Sequence, residues 1–334
     1  MENKKSTRDT YFDFLRGIAI MGVVAIHTFI APDNIDSFSL SAFVRQILNC
    51  SVPIFLFISG YFMANKVFYS ISDYRGFLLK QGAKVYIPML IWSLPYLVMS
   101  LYSGDSLFIS TLRFLSGGFS IYYFIALIIQ CYIVLPILTK LSNSRGVGLT
   151  LLITIFSMLG LFYLFYIKGF SLPLLVYAGP LPVWVVFFVL GIYLNRTAKP
   201  QEISKIMGGV GAVIFLILSY IEMYYTSSYV GELKGIGIKT SSTFYSFSMI
   251  VFLYSLKSYY KTNVMTHFIT KIGEISFAIY LTHMLILLAL RRILPFGFEL
   301  NWFVWFLLNI SITCVFVITL RKVIPSKLYH LLGI

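Results

Sequence analysis

The most constraining feature of this chain is a series of long, uninterrupted apolar runs. Residues 149–167, for example, contain no charged side chain, and a helix of about 20 apolar residues is long enough to cross a bilayer. Strands of membrane β-barrels instead alternate polar and apolar residues over about ten positions, and these runs do not alternate. The sequence therefore predicts an all-α, polytopic membrane protein.

Composition supports the same class of protein. The chain is 59% hydrophobic and only 11% charged, with a mean hydropathy of +0.87, whereas soluble domains carry roughly 25% charged residues. This balance excludes a disordered chain, a secreted protein and a soluble cytosolic enzyme. Cys50, Cys131 and Cys314 all fall in apolar runs, which predicts buried thiols rather than a disulfide framework or a zinc site.

Hydropathy predicts about ten transmembrane spans, and the basic residues give their orientation. The predicted spans lie near residues 11–31, 41–64, 84–102, 120–139, 148–167, 173–195, 206–225, 241–257, 269–290 and 301–321. Nineteen of the 26 Lys and Arg residues then fall on the side of the N-terminus, which the positive-inside rule identifies as cytoplasmic. The seven predicted outside are Arg45, Arg113, Lys168, Lys234, Lys239, Arg291 and Arg292.

This distribution predicts that both termini are cytoplasmic. It also explains most of the net charge of +14 by membrane topology, so nucleic acid is not an expected partner. We expect residues 1–334 to form a single membrane domain with no appended soluble domain. The longest predicted loops span residues 65–83 inside, and 103–119 and 226–240 outside.

The first predicted span contains three ionisable residues, although each such residue costs about 2.5–3.5 kcal/mol at the centre of a membrane helix. Arg16 and His27 are eleven positions apart, or 1100° of rotation, so they share one face at an axial separation of about 16 Å. Asp13 is spaced to pair with Arg16. Either Arg16 reaches the inner headgroups and His27 hydrogen-bonds a neighbouring helix, or Arg16 binds an anionic ligand while His27 exchanges a proton.

Two further stretches are unusual for membrane helices. Pro53, Ser59 and Gly60 favour either a kink with close helix packing or a functional patch. Glu274 and His283 are nine positions apart, or 900° on one helix, and would therefore point to opposite faces. Metal-ligand spacings are missing from the sequence, so no metal is predicted. A P-loop, a GxGxxG and a GxSxG elbow are also missing. The usual sequence signatures of nucleotide hydrolysis and serine hydrolysis are therefore not found.

Five segments together resemble acyltransferase family 3, whose integral membrane proteins move acyl groups, often acetyl, from coenzyme A thioesters to hydroxyls of glycans and small molecules. The first is the Arg-x10-His helix with Asp13, Arg16 and His27. The others are residues 53–61 (PIFLFISGY), 122–127 (YYFIAL) with 132–136 (YIVLP), 187–191 (FFVLG) and 275–283 (ISFAIYLTH). They occur in the order seen in the family. Two positions depart from its pattern, since Tyr122 replaces a tryptophan and residues 81–84 (QGAK) replace Arg-x-x-Arg.

The resemblance implies the roles of individual residues. His27 would be the general base, with a covalent acyl intermediate on His27 as the alternative, and Arg16 would assist catalysis and donor binding. The phosphates of acyl-CoA would be held by Arg16, Arg75, Lys80 and Lys84. The candidates for stabilising the oxyanion or supporting the site are Arg16, Asp13, Ser59, Tyr61 and Tyr123, and the late motif adds Glu274 and His283.

The resemblance also implies the substrates and the location. The expected activity is that of an O-acetyltransferase with acetyl-CoA as donor substrate and no bound cofactor. The expected acceptor is a cell-surface polysaccharide or its lipid-linked precursor, in a bacterial-type cytoplasmic membrane, alongside membrane lipids and other envelope-biosynthesis proteins. The rival hypotheses are a transporter of a glycan or small anion that uses Arg16 and His27, and a structural scaffold.

Overall fold

The structure is a computed structural model that describes residues 9–29, 38–230, 237–294 and 301–334, without the side chains of 227–230. Within these residues the chain forms α-helices and short 3-10 or π segments, and no strand occurs, which confirms the predicted all-α class. The helices are α1 (Thr10–Thr28), α2 (Leu40–Ile47), α3 (Ser51–Met63), α4 (Ile71–Tyr102), α5 (Leu107–Ser116), α6 (Tyr123–Ile133), α7 (Leu135–Leu138), α8 (Ser144–Phe162), α9 (Leu174–Ala178), α10 (Val185–Thr197), α11 (Lys205–Val230), α12 (Thr240–Ser255), α13 (Val264–Glu274), α14 (Ser276–Ile293), α15 (Trp302–Val323) and α16 (Tyr329–Leu332).

Polar side chains begin several of these helices. The side chains of Asp9, Ser39, Ser70, Ser106 and Asn143 each accept a backbone N–H from the first turn of α1, α2, α4, α5 and α8. Such caps satisfy backbone donors that have no partner within the helix. The apolar runs that follow therefore become helices with defined starting points.

Seven helices in the described residues are long and apolar enough to cross a membrane, or eight if α6 and the segment 135–141, which meet at 64°, form one bent span. The predicted count of ten stays a prediction, because three predicted spans form shorter or broken helices. Pro136 begins the second half of span 120–139, and Pro180 and Pro182 separate α9 from α10 in span 173–195. Proline lacks the N–H that a continuous helix requires. In the third, span 241–257, α12 has 16 residues, which is fewer than the roughly 20 that a spanning helix needs.

Two predicted loops are largely helical. Helix α4 has 32 residues and, at 1.5 Å per residue, is about 48 Å long, which exceeds the roughly 30 Å of the hydrocarbon core. Residues 71–83, more than three turns of α4, occupy most of the predicted loop 65–83. Helix α5 occupies most of the predicted loop 103–119. Lys4, Lys5, Arg8 and Lys234, which the topology prediction used, lie outside the described residues, as does part of the loop 226–240.

Two glycines allow helices to pack with their backbones in contact. A Cβ at Gly60 would lie 2.0 Å from the carbonyl oxygen of Phe188, and one at Gly273 would lie 1.7 Å from the carbonyl oxygen of Asp13. Since real Cβ atoms do not approach this closely, only glycine fits at these crossings of α3 with α10 and of α1 with α13. Close approach through small residues is how membrane helices commonly associate.

Hydrogen bonds fix the start of α6 against α14. The Tyr122 hydroxyl donates to the carbonyls of Leu281 (2.8 Å) and Trp92 (3.2 Å). The Tyr280 hydroxyl donates to the Ile121 carbonyl (2.6 Å). These bonds hold Tyr123, the first residue of α6, near the middle of α14.

The predicted span 269–290 differs from the structure because the chain breaks at Ile275, between α13 and α14. Glu274 is the last residue of α13, and His283 lies in α14, so the angle derived for one continuous helix does not apply. Of the three cysteines, Cys50 and Cys131 are buried, while Cys314 is half-buried.

Candidate active site: two cavities that meet at His27

A cavity of about 200 Å³, here called the inner cavity, lies between α1, α3, α6 and α14. Arg16 and His27 both line it, as expected for two residues on one face of α1. Its walls are mostly apolar. The polar side chains in the walls are Arg16, His27, Ser59, Tyr123, Tyr132, Ser276 and Tyr280.

Arg16 is paired within its own helix. Its Nη1 donates to Asp13 Oδ1 at 2.6 Å, and the Asp13 side chain is 1% exposed while that of Arg16 is 28% exposed. The guanidinium also lies 5.1 Å from the centre of the Phe62 ring, within the range of a cation–π contact. Arg16 is therefore a partly exposed cation with a buried counter-charge beside it.

A second cavity of about 470 Å³, here called the outer cavity, shares the wall residues Val23, His27, Val52 and Tyr123 with the inner cavity. Its other walls contain two polar side chains of the second predicted span and a set of aromatic rings. These are Arg45 and Asn49, and Phe165, Tyr177 and Trp184. His27 thus lies in the wall between the two cavities, where ligands in either one can contact it.

The His27 ring is next to a second histidine. Its centre lies 5.5 Å from the centre of the His283 ring. His283 Nδ1 lies 2.9 Å from the Ile279 carbonyl oxygen and 3.0 Å from that of Tyr280. A carbonyl only accepts, so Nδ1 carries the proton and Nε2 of the neutral ring is an acceptor. Nε2 is buried and has no hydrogen-bond partner in the described part of the chain.

The predicted hydroxyl candidates differ in position. Tyr123 lines both cavities. Ser59 lines the inner cavity, and its hydroxyl donates to the Phe55 carbonyl at 2.8 Å. Tyr61 instead packs against Phe12, with ring centres 4.4 Å apart, and lies outside the residues that line the inner cavity.

The remaining predicted site residues lie outside the cavity walls. Arg75, Lys80 and Lys84 are exposed on α4, whose Val85 lines the inner cavity. Glu274 accepts hydrogen bonds from Lys271 Nζ at 3.0 and 3.1 Å. The structure therefore places His27, Arg16, Ser59 and Tyr123 in the walls of the inner cavity, with His283 beside His27. Arg75, Lys80, Lys84 and Glu274 line neither cavity.

Sequence reasoning missed the polar residues of the outer cavity. Arg45 was counted only as an outside charge, although a basic residue within a predicted span is a functional hypothesis by the rule applied to Arg16. Behind it lies Lys239, which precedes α12. Burial lowers the pKa of Lys239 to about 7, while the Glu222 carboxylate opposes this shift.

The apolar helices and the buried polar site at the junction of two cavities define a multi-pass membrane protein with an internal site. Residues 9–321 match the family model described as an acyltransferase domain. Because the match covers most of the 334 residues, this chain belongs to acyltransferase family 3 and is an acyltransferase of the membrane. No curated protein and no solved structure shows significant similarity to it.

Proposed function

We propose that this chain is an O-acetyltransferase that moves an acetyl group from cytoplasmic acetyl-CoA to a hydroxyl of a cell-surface polysaccharide or its lipid-linked precursor. The observation that carries the proposal is the position of His27 in the wall shared by the two cavities. A donor in the inner cavity and an acceptor in the outer cavity would meet at the same imidazole. Membership of the acyltransferase family supports acyl transfer as the reaction.

The donor would enter at the Arg16 end of the inner cavity. Its phosphates favour clustered cations, and Arg16 together with the exposed Arg75, Lys80 and Lys84 of α4 supplies them. The uncharged arm of coenzyme A would then lie along the apolar wall. Its thioester would reach His27, about 16 Å further along α1.

His27 would act as the general base. Its imidazole takes the proton of the acceptor hydroxyl while that oxygen attacks the thioester carbonyl carbon. The C–S bond of the resulting tetrahedral intermediate then breaks, and the imidazolium returns its proton to the departing thiolate. The products are an acetyl ester and free coenzyme A, and His27 is neutral again. An acyl-His27 intermediate would give the same products in two steps.

Neighbouring groups would orient His27 and stabilise the intermediate. The acceptor atom Nε2 of His283 can receive an N–H of His27, which leaves the other nitrogen of His27 free to act as base. Tyr123 is the strongest candidate for the oxyanion donor because it lines both cavities. The Ser59 hydroxyl is already used on Phe55, and Arg16 lies too far along α1 for this role.

The test is acetyl transfer by purified protein in lipid nanodiscs, with isotopically labelled acetyl-CoA and extracted surface glycan. Wild type should label the glycan, and His27→Ala should lower the rate by about 10²- to 10⁴-fold, the usual contribution of a general base. The matched control is His267→Ala, because His267 is exposed on α13; it should transfer at the wild-type rate. Full activity in His27→Ala would contradict the proposal.

Donor binding is tested with a second pair of variants. Arg16→Gln should raise KM for acetyl-CoA more than it lowers kcat, whereas the exposed Arg145→Gln should change neither.

Release of free thiol distinguishes an enzyme from a transporter. An enzyme releases thiol from acetyl-CoA only when the acceptor is present, and a transporter would move glycan without consuming the thioester.

A further inference from the structure

Arg45 is a buried cation that no carboxylate in the described residues neutralises. It lies on α2, is 7% exposed and lines the outer cavity. Its Nη1 donates to Asn49 Oδ1, and the ion pairs found in the described chain involve Arg16, Arg113, Lys199, Lys257 and Lys271 instead. A guanidinium carries five N–H donors, and burying it without a counter-charge is costly.

Asn49 belongs to a polar network that holds Arg45 from behind. Its Nδ2 donates to Gln46 Oε1 (2.9 Å) and to Ser242 Oγ (3.1 Å), which directs its Oδ1 toward Arg45. Lys239 Nζ donates to the same Ser242 hydroxyl at 2.9 Å. Because Arg45 is held by neighbours that are themselves buried and bonded, it is a fixed group in the cavity wall and not a mobile surface charge.

The rest of the outer cavity suits a sugar ring. Trp184 and Tyr177 present aromatic surface, and the Trp184 ring is held by an N–H donated to the Ala178 carbonyl at 2.7 Å. Aromatic walls with a few fixed polar groups are typical of small-ligand sites, and the volume of about 470 Å³ falls within their usual range of 300–1,000 Å³. His27 closes the same cavity, so a ligand held by Arg45 can place a hydroxyl against the imidazole.

From this arrangement we infer that the outer cavity is the acceptor subsite, and that Arg45 selects an acceptor sugar that carries an anionic group. The guanidinium fork matches a carboxylate or a phosphate in two-point contact. The missing counter-charge of Arg45 is thus supplied by the substrate. This inference rests on the proposed function, to which it adds the chemical class of the acceptor.

The test measures binding to the full chain in lipid nanodiscs, without donor, by titration calorimetry. The carboxylate probe is digalacturonic acid, and its carboxyl-reduced form is the neutral control. The phosphate probe is galactose 1-phosphate, with galactose as its control. Wild type should bind at least one anionic probe about 10- to 100-fold more tightly than its neutral partner, as expected for hydrogen bonds to a charged group. The probe that shows this preference identifies the anionic group.

Variants assign the preference to Arg45. Arg45→Gln should bind anionic and neutral probes alike, and Arg45→Lys should keep part of the preference. The matched control Arg292→Gln, at an exposed arginine of α14, should keep all of it. Binding of acetyl-CoA by Arg45→Gln shows that the variant is folded, because the donor occupies the other cavity.

The outcomes separate this inference from the proposed function. If wild type binds neither anionic probe more tightly than its neutral partner, the inference is wrong whatever the variants do. A preference that survives in Arg45→Gln also overturns it. If glycan labelling depends on His27 but no anionic probe is preferred, the proposed acetyltransferase activity is supported and only the anion-selective subsite is rejected. If an anionic probe is preferred but no acetyl transfer occurs, the proposed reaction is rejected and the anion-selective site is supported.

Discussion

The inner and outer cavities each contain one arginine, and the two differ in how their charge is balanced. Arg16 lies 2.6 Å from Asp13, three positions earlier on the same helix. Arg45 has an amide, that of Asn49, as its hydrogen-bond partner in the described chain. Arg16 is also partly exposed, whereas Arg45 is buried.

The difference indicates that the protein itself supplies the counter-charge of the inner arginine, whereas the counter-charge of the outer arginine comes from a ligand. A partly exposed arginine beside a carboxylate keeps its counter-charge whether or not a ligand is bound. A buried arginine without a carboxylate is costly in the empty protein, and an anionic ligand removes that cost. We therefore expect the inner arginine to contribute to folding as well as to donor binding, and the outer arginine to contribute mainly to binding.

After His27 itself, the largest effect is expected at His283, whose ring lies beside that of His27. His283→Leu removes the acceptor Nε2, which in the proposed mechanism receives an N–H of His27 and orients its ring. A small misplacement of a catalytic group can cost about 100-fold in rate. We expect kcat to fall by about 10- to 100-fold, while KM for donor and acceptor changes little. Steady-state kinetics in nanodiscs measure both constants.

Two further variants make this result specific. His283→Gln restores a side-chain acceptor and should recover part of kcat, which a purely structural role would not predict. His330→Leu, at an exposed histidine near the C-terminal end, should leave kcat at the wild-type value. An increase in KM with unchanged kcat would show that His283 shapes a binding cavity instead.

Asp13→Asn should produce the next largest effect, on stability. Removing one partner of a buried ion pair costs about 3–5 kcal/mol, and partial solvation of the Arg16 guanidinium reduces this to about 2 kcal/mol. Unfolding of the nanodisc-embedded or detergent-solubilised protein measures the change. The control is Asp105→Asn, because the pair of Asp105 with Arg113 is 43% and 49% exposed and should contribute less than about 1 kcal/mol. Equal losses in both variants would contradict the comparison.

Arg45→Met should change the free energy of unfolding by less than about 1 kcal/mol, in either direction. Replacing a buried charge that has no counter-charge with an apolar side chain removes a desolvation cost along with one hydrogen bond. Arg196→Met is the contrasting variant, because Arg196 donates to the carbonyls of Ala64 (2.9 Å) and Thr139 (2.7 Å) and should lose more stability. A loss above about 2 kcal/mol in Arg45→Met would make Arg45 structural.

The same two arginines show which parts of the site the sequence could predict. The pairing of Asp13 with Arg16, and the common face of Arg16 and His27, follow from spacing within one helix. The position of Arg45 beside His27 depends on how α2 packs against other helices. The contact of His27 with His283 joins helices α1 and α14, which are far apart along the chain. Helical periodicity contains no information about such distant contacts.

The fold shows the same limit. Apolar runs predicted an all-helical membrane protein, because burying the backbone in lipid requires helices. The breaks at Pro136, Pro180 and Pro182 have a signal in the sequence, since proline lacks the N–H of a regular helix. The signal is not decisive, because α4 continues through Pro88 and Pro95. The break at Ile275 has no proline to signal it. Hydropathy alone also did not predict that α4 continues through polar residues beyond the membrane core.

Glu274→Gln should have the smallest effect, because Glu274 lines neither cavity. Glu274 comes from the same family-like motif as His283, yet it lies at the end of α13, where Lys271 pairs with it. The side chain of Lys271 is 57% exposed and that of Glu274 is 29% exposed. Such a pair contributes at most about 0.5 kcal/mol. We therefore expect unfolding and acetyl transfer close to wild type. A loss of transfer above about tenfold, with normal stability, would extend the active site beyond the walls of the two cavities and weaken the assignment of chemistry to His27 and His283.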